Sequence, residues 1–543
     1  MDDDVPVLIA GGSLVGLSTA LFLGWHGIPS LVVERHPGTA IHPRAALFNQ
    51  RTIELYRGVG LEDAILEASE REFEQNGAIV SVESLGGREL EYYFRHINDG
   101  VEGLSPSQRL FITQIGLEPI LRGRAEELGA QLAYSTELVG FEPRDDGVTA
   151  TLRSRADGGS ERTVAARYLV AADGSRSTVR ERLGIGLGGH GSFSNSITIY
   201  FRADIRPLVG ERNLSVIYVF GPRLQGFFRF SKAGDAGFLV VNKAVDEDGE
   251  LSADLWDDTS DERCVELVRE ALGDPALVVE LENVQRWNSC ADWAERFQEG
   301  RVFVAGDAAH NMPPTGGFGG NTGVQDGHNL AWKLALVLRG LAGHELLSTY
   351  DAERRPVGEF TVEQAYTRYV LRLAPELGKE NLLPIVPEWT VELGYRYRSA
   401  AVLTEDDGDD SVYENPAEPS GRPGTRAPHV PLTRNGAPVS PLDLVGRSFV
   451  LLAGAAGAQW CDAARAAAAA LEVGVDAYRV GDGADLTDVS GRFPDVYGTG
   501  ADGAALLRPD GFIAWRTQAA ENDNVWVLTD VLARVLSRSA GEE

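Results

Sequence analysis

Val5-Pro6-Val7-Leu8-Ile9-Ala10-Gly11-Gly12-Ser13-Leu14-Val15-Gly16 opens a run that carries no Asp, Glu, Lys or Arg until Glu34. The run is long enough to cross a bilayer, so its internal punctuation decides what it is. Gly11, Gly12, Ser13 and Gly16 interrupt it early, and Gly27 and Pro29 break it late. Met1-Asp2-Asp3-Asp4 puts acid where a secretory signal carries positive charge. Residues 7–10 therefore read as a buried strand, 14–25 as an apolar helix and 30–33 as a second buried strand, a βαβ unit. Gly11 makes the tight turn and Gly16 lets the helix lie close on the sheet. The amides of Gly12, Ser13, Leu14 and Val15, at the helix N-terminus, offer a pyrophosphate unpaired N–H groups and a partial positive charge. Glu34 closes the second strand, where its carboxylate takes the two hydroxyls of an adenosine ribose, and Arg35 follows it in the candidate set. Ser13 stands where the pattern has its second glycine and crowds the phosphates slightly.

Two later stretches choose between a flavin and a nicotinamide. Tyr168-Leu169-Val170-Ala171-Ala172-Asp173-Gly174-Ser175-Arg176-Ser177-Thr178-Val179-Arg180 is a buried strand running into D-G-x-x-S-x-V-R. Arg301-Val302-Phe303-Val304-Ala305-Gly306-Asp307-Ala308-Ala309-His310 is another, ending in G-D-A-A-H. Pro313, Pro314, Gly316, Gly317, Gly319, Gly320 and Asn321 then lead into a helix expected to open near Thr322. Asp307, at a strand end, suits a ribityl hydroxyl. The glycine-rich turn aims backbone N–H groups at the electron-rich end of an isoalloxazine. Each motif follows an apolar strand, the position that such sheets use for ligands.

Together these residues resemble the single-component, FAD-dependent aromatic hydroxylases, the class A flavin monooxygenases of the para-hydroxybenzoate hydroxylase fold. Pro43-Arg44-Ala45, Gln114 in Phe111-Ile112-Thr113-Gln114, and Tyr350-x-x-Glu353-Arg354-Arg355-Pro356 look like further marks of that family. Gly394-Tyr395-Arg396-Tyr397-Arg398-Ser399 and Pro423-Gly424-Thr425-Arg426-Ala427-Pro428-His429 resemble its branch of actinobacterial aromatic polyketide hydroxylases, the aklavinone and tetracenomycin hydroxylase type. The resemblance covers nearly the whole chain. It implies an α/β fold with a discontinuous Rossmann-type FAD-binding domain (1–182 and 283–400) and an inserted antiparallel β-sheet substrate domain (183–282). A linker (401–430) and a thioredoxin-like domain (431–543) complete it. The implied activity is an NAD(P)H-consuming monooxygenase that hydroxylates a polycyclic aromatic phenol or quinone through a flavin C4a-hydroperoxide, in antibiotic biosynthesis. A Baeyer–Villiger-type oxygenase and an antibiotic-inactivating hydroxylase on the same fold stay open. A halogenase is disfavoured: its W-x-W-x-I-P segment is missing and the first lysine is Lys232. Only one βαβ unit is visible, so NADPH or NADH visits as a co-substrate beside O2.

The remaining candidates follow from this reading. Arg44 is set against anionic phosphate or flavin groups, the alternative being a surface arginine. On the inserted strands Tyr218, Gln225 and Phe228 are candidate pocket residues, with the inward set depending on register; Pro314 and Gly316 close the pocket on the flavin side. His310 faces either the pocket mouth or a packing role. Tyr366, Tyr369 and Arg372 share a helical spacing, with Arg372 either stabilising a substrate phenolate or standing in solvent. No residue stands out as a general base.

Composition agrees with a soluble catalyst. The 543 residues hold 50 Lys and Arg against 80 Asp and Glu, a net charge of −30, which repels phosphate backbones and anionic lipid surfaces. Neither nucleic acid nor membrane is an expected partner; a monomer or homodimer in the cytoplasm is expected. Cys264, Cys290 and Cys461 are scattered, which excludes a disulfide scaffold and a thiolate metal site, and no metal is expected. Glu405-Asp406-Asp407-Gly408-Asp409-Asp410 and the prolines after it read as an exposed linker. Cys461 stands alone in the last domain, so the dithiol chemistry of thioredoxins is not available there.

Overall fold

A computed structural model describes residues 3–42, 45–156, 158–246, 250–405 and 408–538. Arg44, with Pro43, lies outside the described residues, as do Asp406 and Asp407 of the acidic run. The principal helices are, in chain order, α1 (Leu14–Trp25), α2 (Gln50–Gly58), α3 (Gln114–Glu127), α4 (Asp261–Leu272), α5 (Gly319–Leu338), α6 (Thr349–Arg372), α7 (Ala458–Leu471) and α8 (Asn524–Val535).

The first sheet is parallel at its centre. Asp3–Ala10 lies between Glu161–Ala171 and Ser30–Val33, and Val302–Val304 adds beyond Glu161–Ala171. Ile9 is paired with both Val170 and Val32, and Val170 with Phe303. These residues are fully or almost fully buried in one apolar cluster that includes α1, α5 and the strand Val148–Ser154, which is why the strands read as unbroken apolar runs. Three loops carrying the glycine motifs leave the same edge of this sheet, at the carboxyl ends of its strands.

The second sheet has nine strands among the described residues. Its antiparallel centre is Leu187–Arg202, Ala236–Val245, Leu224–Phe230 and Leu214–Phe220. It draws on more chain than 183–282: Ala78–Val82 and Glu89–Phe94 extend one side, Glu280–Ala294 and His310–Asn311 the other. One face packs Ile197, Ile199, Ile217, Phe228, Leu239 and Val241 against Leu267, Val268 and Ala271 of α4. Phe228 therefore belongs to this outer core, not to a pocket; it is paired with Ile217, one position out of phase with the inward Tyr218.

The C-terminal sheet runs Val475–Val480, Phe449–Gly454, Ala504–Leu507, Ile513–Thr517, parallel in its first pair and antiparallel in the others, with α7 and α8 packed together. That order is thioredoxin-like. Cys461 is buried in α7. The domain is not set apart on a free tether. Residues 421–430, expected as exposed linker, are mostly buried, and Arg426 donates to Glu54 of α2. Trp332 and Leu346 of the first domain share one apolar cluster with Phe449, Leu451 and Trp460.

Candidate active site

The first glycine turn is made of backbone. Gly11 has φ +103°, and a Cβ there would run into the Ala172 carbonyl; one on Gly16 would run into the carbonyl of Gly11. The Gly11 amide donates to the Val33 carbonyl (2.9 Å), which ties the turn to the second strand. Ser13 precedes α1 but does not cap it with its side chain. Its hydroxyl instead donates to Glu118 Oε1 (2.6 Å), which draws it off the helix end and relieves the expected crowding. Glu118, buried on α3, also accepts from the Ala40 amide (2.7 Å) and Gln114 Nε2 (3.1 Å). Gln114 Oε1 accepts from the Ala45 amide (3.0 Å), so Gln114 and Glu118 together hold Ala40 and Ala45. Nothing in the spacing of α3 marked Glu118; only its burial beside the turn does. Glu34 Oε2 accepts from the Gly12 amide (2.8 Å) and Oε1 from the His36 amide (2.9 Å), bracing the turn with lone pairs to spare. Arg35 is exposed beside it.

The other two motifs are tied to each other. Arg180, buried, donates to the Ser175 carbonyl (3.2 Å) and across to the Ala308 carbonyl (3.1 Å), joining the Asp173-Gly174 loop to the Gly306-Asp307 loop. Asp173 Oδ2 accepts from the Val179 amide (3.3 Å), while Oδ1 is buried with no protein partner. Burial pushes the Asp173 carboxyl up from its ordinary range, against the hydrogen bonds it accepts. Asp307 is the exposed residue between buried Gly306 and Ala308. α5 opens at Gly319, earlier than the sequence suggested, and Gly319 and Gly320 form its first turn. A Cβ on Gly320 would press on Leu14 and Ala45, so α5, the first glycine turn and Ala45 converge there. Asn321 locks the junction by donating to the Leu47 carbonyl (3.0 Å) and Gly317 carbonyl (2.7 Å) and accepting from the Asn49 amide (3.0 Å). A glycine cradle, an uncovered helix end and an orphaned carboxylate oxygen fit a flavin dinucleotide.

His310 does not reach this cleft. Its ring is fully buried with Nε2 2.7 Å from Asp326 Oδ2, behind the loop rather than at a pocket mouth. The structure gives His310 the packing place of the two that its motif left open. Pro314 and Gly316 lie half-buried in the loop ahead of α5.

The face of the second sheet away from α4 meets the first domain, where Arg229, in phase with Phe227, donates to the Ala46 carbonyl (2.7 Å). Tyr218 packs edge-on to Tyr93 (5.8 Å) and against Phe227 (5.8 Å) and Phe220 (6.4 Å). Gln225 is paired with Phe220 on this same face and is half-buried. Arg372, the last residue of α6, lies over the Tyr93 ring (5.3 Å) and beside the Tyr218 hydroxyl, with Glu388 at 3.4 Å. Burial raises the Tyr218 phenol above its ordinary value, and the Arg372 cation opposes that rise. Tyr369 packs on Phe193, and Tyr366 stacks on His190. Tyr93 and Phe227 were invisible as candidates because both depend on strand pairing. Arg372 comes from a helix more than a hundred residues away in sequence.

No helix among the described residues is long and apolar enough to cross a membrane, and no cluster of His, Cys, Asp and Glu there could hold a metal ion.

Comparison with known proteins completes the picture. Residues 4–365 match the FAD binding domain family, and residues 420–539 match the C-terminal domain of aromatic-ring hydroxylases. The chain is 53% identical to 4-methyl-5-nitrocatechol 5-monooxygenase from a Burkholderia species, over 99% of this chain and 98% of that one. It is 43% identical to aklavinone 12-hydroxylase of Streptomyces purpurascens, over 99% and 100%. Aklavinone-11 hydroxylase, solved with FAD and aklavinone, superposes with a TM-score of 0.93 at 42% identity, over 99% and 100% of the two chains. With matching families at both ends and full-length relatives of this identity, the chain belongs to the FAD-dependent aromatic-ring hydroxylases and is a flavin monooxygenase.

Proposed function

We propose that this monooxygenase consumes NAD(P)H and O2 to place one hydroxyl on an electron-rich phenolic ring: ring C–H, O2, NAD(P)H and a proton give ring C–OH, NAD(P)+ and water. The observation that carries the reading is the Arg372–Tyr218 pair among the rings of the second sheet's inner face, in a chain that also carries the three glycine motifs. Bound FAD supplies the chemistry of hydride acceptance and oxygen activation; the chain supplies place, charge and dryness. The turn at 11–16 and Glu34 would hold the adenosine and pyrophosphate, and Asp173, Asp307 and the first turn of α5 the ribityl chain and ring. Arg44 remains proposed for the phosphate side.

Arg372 would act on the substrate by charge. A guanidinium near a phenol oxygen favours the phenolate, which is the more electron-rich ring, and low local dielectric strengthens the effect. Tyr218 would hold that oxygen as donor, its own proton kept on by burial. Tyr93, Phe220 and Phe227 would flank the ring and keep water out, since water in the site diverts oxygen to hydrogen peroxide.

The superposition on the aklavinone complex favours a polycyclic aromatic polyketide as substrate, with antibiotic biosynthesis as the corresponding proposed role. A monocyclic nitrocatechol is the second reading, favoured by the 53% identical relative. Purified yellow protein, assayed with aklavinone, tetracenomycin-type phenols and 4-methyl-5-nitrocatechol, distinguishes them by NAD(P)H consumption, by gain of one oxygen in a polycyclic product, and by release of nitrite where oxygen enters at the nitro-bearing carbon of the catechol, leaving a hydroxyquinone. Gly16→Glu is expected to abolish FAD retention. Full flavin in that variant, or no NAD(P)H oxidation with any phenol, would remove the reading.

A further inference from the structure

The C-terminal domain plants a charged turn inside the first domain. Between Ala504–Leu507 and Ile513–Thr517, Arg508 and Asp510 are at most 2% exposed. Arg508 forks onto Glu353 of α6, with Nη2 2.8 Å from Oε2, and its Nε donates to Asp510 Oδ1 (3.0 Å). Asp510 Oδ2 accepts from Asn329 and Trp332 of α5 (both 3.2 Å), and its carbonyl accepts from Arg51 of α2 (2.6 Å). Glu353 Oε2 also takes Lys333 Nζ (2.7 Å) from α5. One turn of the C-terminal domain thus grips three helices of the other.

The next residue on α6 carries the grip to the cofactor loop. Arg354 Nε donates to Asp326 Oδ1 (2.7 Å), and Asp326 Oδ2 accepts from the Gly306 amide (3.0 Å) and pairs with His310. Asp326 stands two turns into α5, whose first turn is Gly319-Gly320-Asn321. Lys333, Glu353, Arg354, Asp326 and Arg508 have no exposed side-chain surface. Burying so many charges is costly, and apolar residues of similar volume commonly stabilise as well or better. What charges add is a single permitted geometry, because a forked guanidinium–carboxylate contact tolerates little displacement. Here that geometry sets α5 against α6, and with them the Gly306 amide.

We infer that Arg508 and Asp510 are positioning residues for FAD: through Glu353, Arg354 and Asp326, the C-terminal turn holds the Gly306–Asp307 loop and the start of α5 in their binding geometry. The inference rests on the reading that this loop holds the flavin.

The test uses full-length, deflavinated protein titrated with FAD, read by fluorescence and visible absorbance well below the unfolding temperature. The neutral pair Glu353→Gln with Arg508→Met is expected to keep the apoprotein unfolding temperature within a few degrees, weaken FAD about tenfold or more, and shift the bound flavin spectrum. Arg508→Lys should recover part of the affinity. Binding of FAD should also slow amide exchange in 504–517 in the parent, since coupling is reciprocal, and do so less in the pair variant. If the pair variant does not fold, Asp510→Asn carries the same expectations. Leu528→Ala, in the C-terminal core away from the network, gives the control for mere loss of stability. Affinity within twofold of the parent in a folded variant overturns the inference, as does a loss no greater than that of Leu528→Ala at equal unfolding temperature. Asp326→Asn separates the two readings: if it too leaves FAD affinity intact, the loop does not hold the flavin. If it weakens FAD while the Arg508 variants do not, only the positioning role fails.

Discussion

The two faces of the second sheet come from the same strands and do opposite things. Ile217, Val219 and Phe228 face α4 in a closed apolar core. Tyr218, Phe220 and Phe227, their immediate neighbours in sequence, point the other way and pack with Arg372 and Tyr93. The outer face repeats small differences of one aliphatic residue for another, and its value is burial. The inner face mixes rings with a cation and a phenol, a composition that burial alone does not reward. A strand period of two lets one segment serve stability and chemistry at once, at the cost that a slip of one residue would exchange them.

That contrast can be broken at several points. The largest effect is expected at Phe228→Ala, about 3–5 kcal/mol of lost stability for a fully buried aromatic, with turnover per folded molecule unchanged. Denaturant melts and flavin-normalised rates check it, and an impaired rate in the folded fraction would put Phe228 back in the pocket. Arg372→Met is expected to lower kcat/KM about a hundredfold, roughly 2.7 kcal/mol of lost transition-state stabilisation, with stability near the parent's. Its pH profile sharpens the point. A cation beside a phenol lowers the phenol's pKa, so removing it should move the rising limb of kcat/KM to higher pH. A limb that stays put means Arg372 does not act on the substrate's charge. Tyr218→Phe should cost about tenfold, near 1.4 kcal/mol, for one lost hydrogen bond to a charged group, and raise the fraction of NAD(P)H lost as peroxide. Gln225→Leu, at the half-buried margin of the same face, should change KM by a small factor with kcat intact.

The cradle and the chamber were unequally legible. Gly11, Gly16, Asp173, Gly174, Gly306 and Asp307 are local signals, because a ligand held by backbone amides needs glycines at fixed offsets from the strand that delivers them. The chamber needs side chains from Glu89–Phe94, Leu214–Phe220, Leu224–Phe230 and the end of α6. Sequence spacing could list Tyr218 and Phe228 together; only register separates them. His310 stood in a telling motif and was drawn inward by Asp326, a partner sixteen residues on that no motif announces. Residues 421–430 of the expected 401–430 linker show the same limit: glycines and prolines read as tether, while Arg426 is buried and donates to Glu54 of α2.

The sequence by itself determined the glycine turn at 11–16 and the class of cofactor, since each is written in contiguous residues whose conformational demands are short-ranged. Tertiary structure alone decided which strand face carries Tyr218 with Arg372, that Glu118 takes the Ala40 amide, and that Arg508 reaches Glu353 across 155 residues of chain. Those contacts join residues whose closeness depends on every turn between them, and no local preference for helix, strand or loop encodes such a distance.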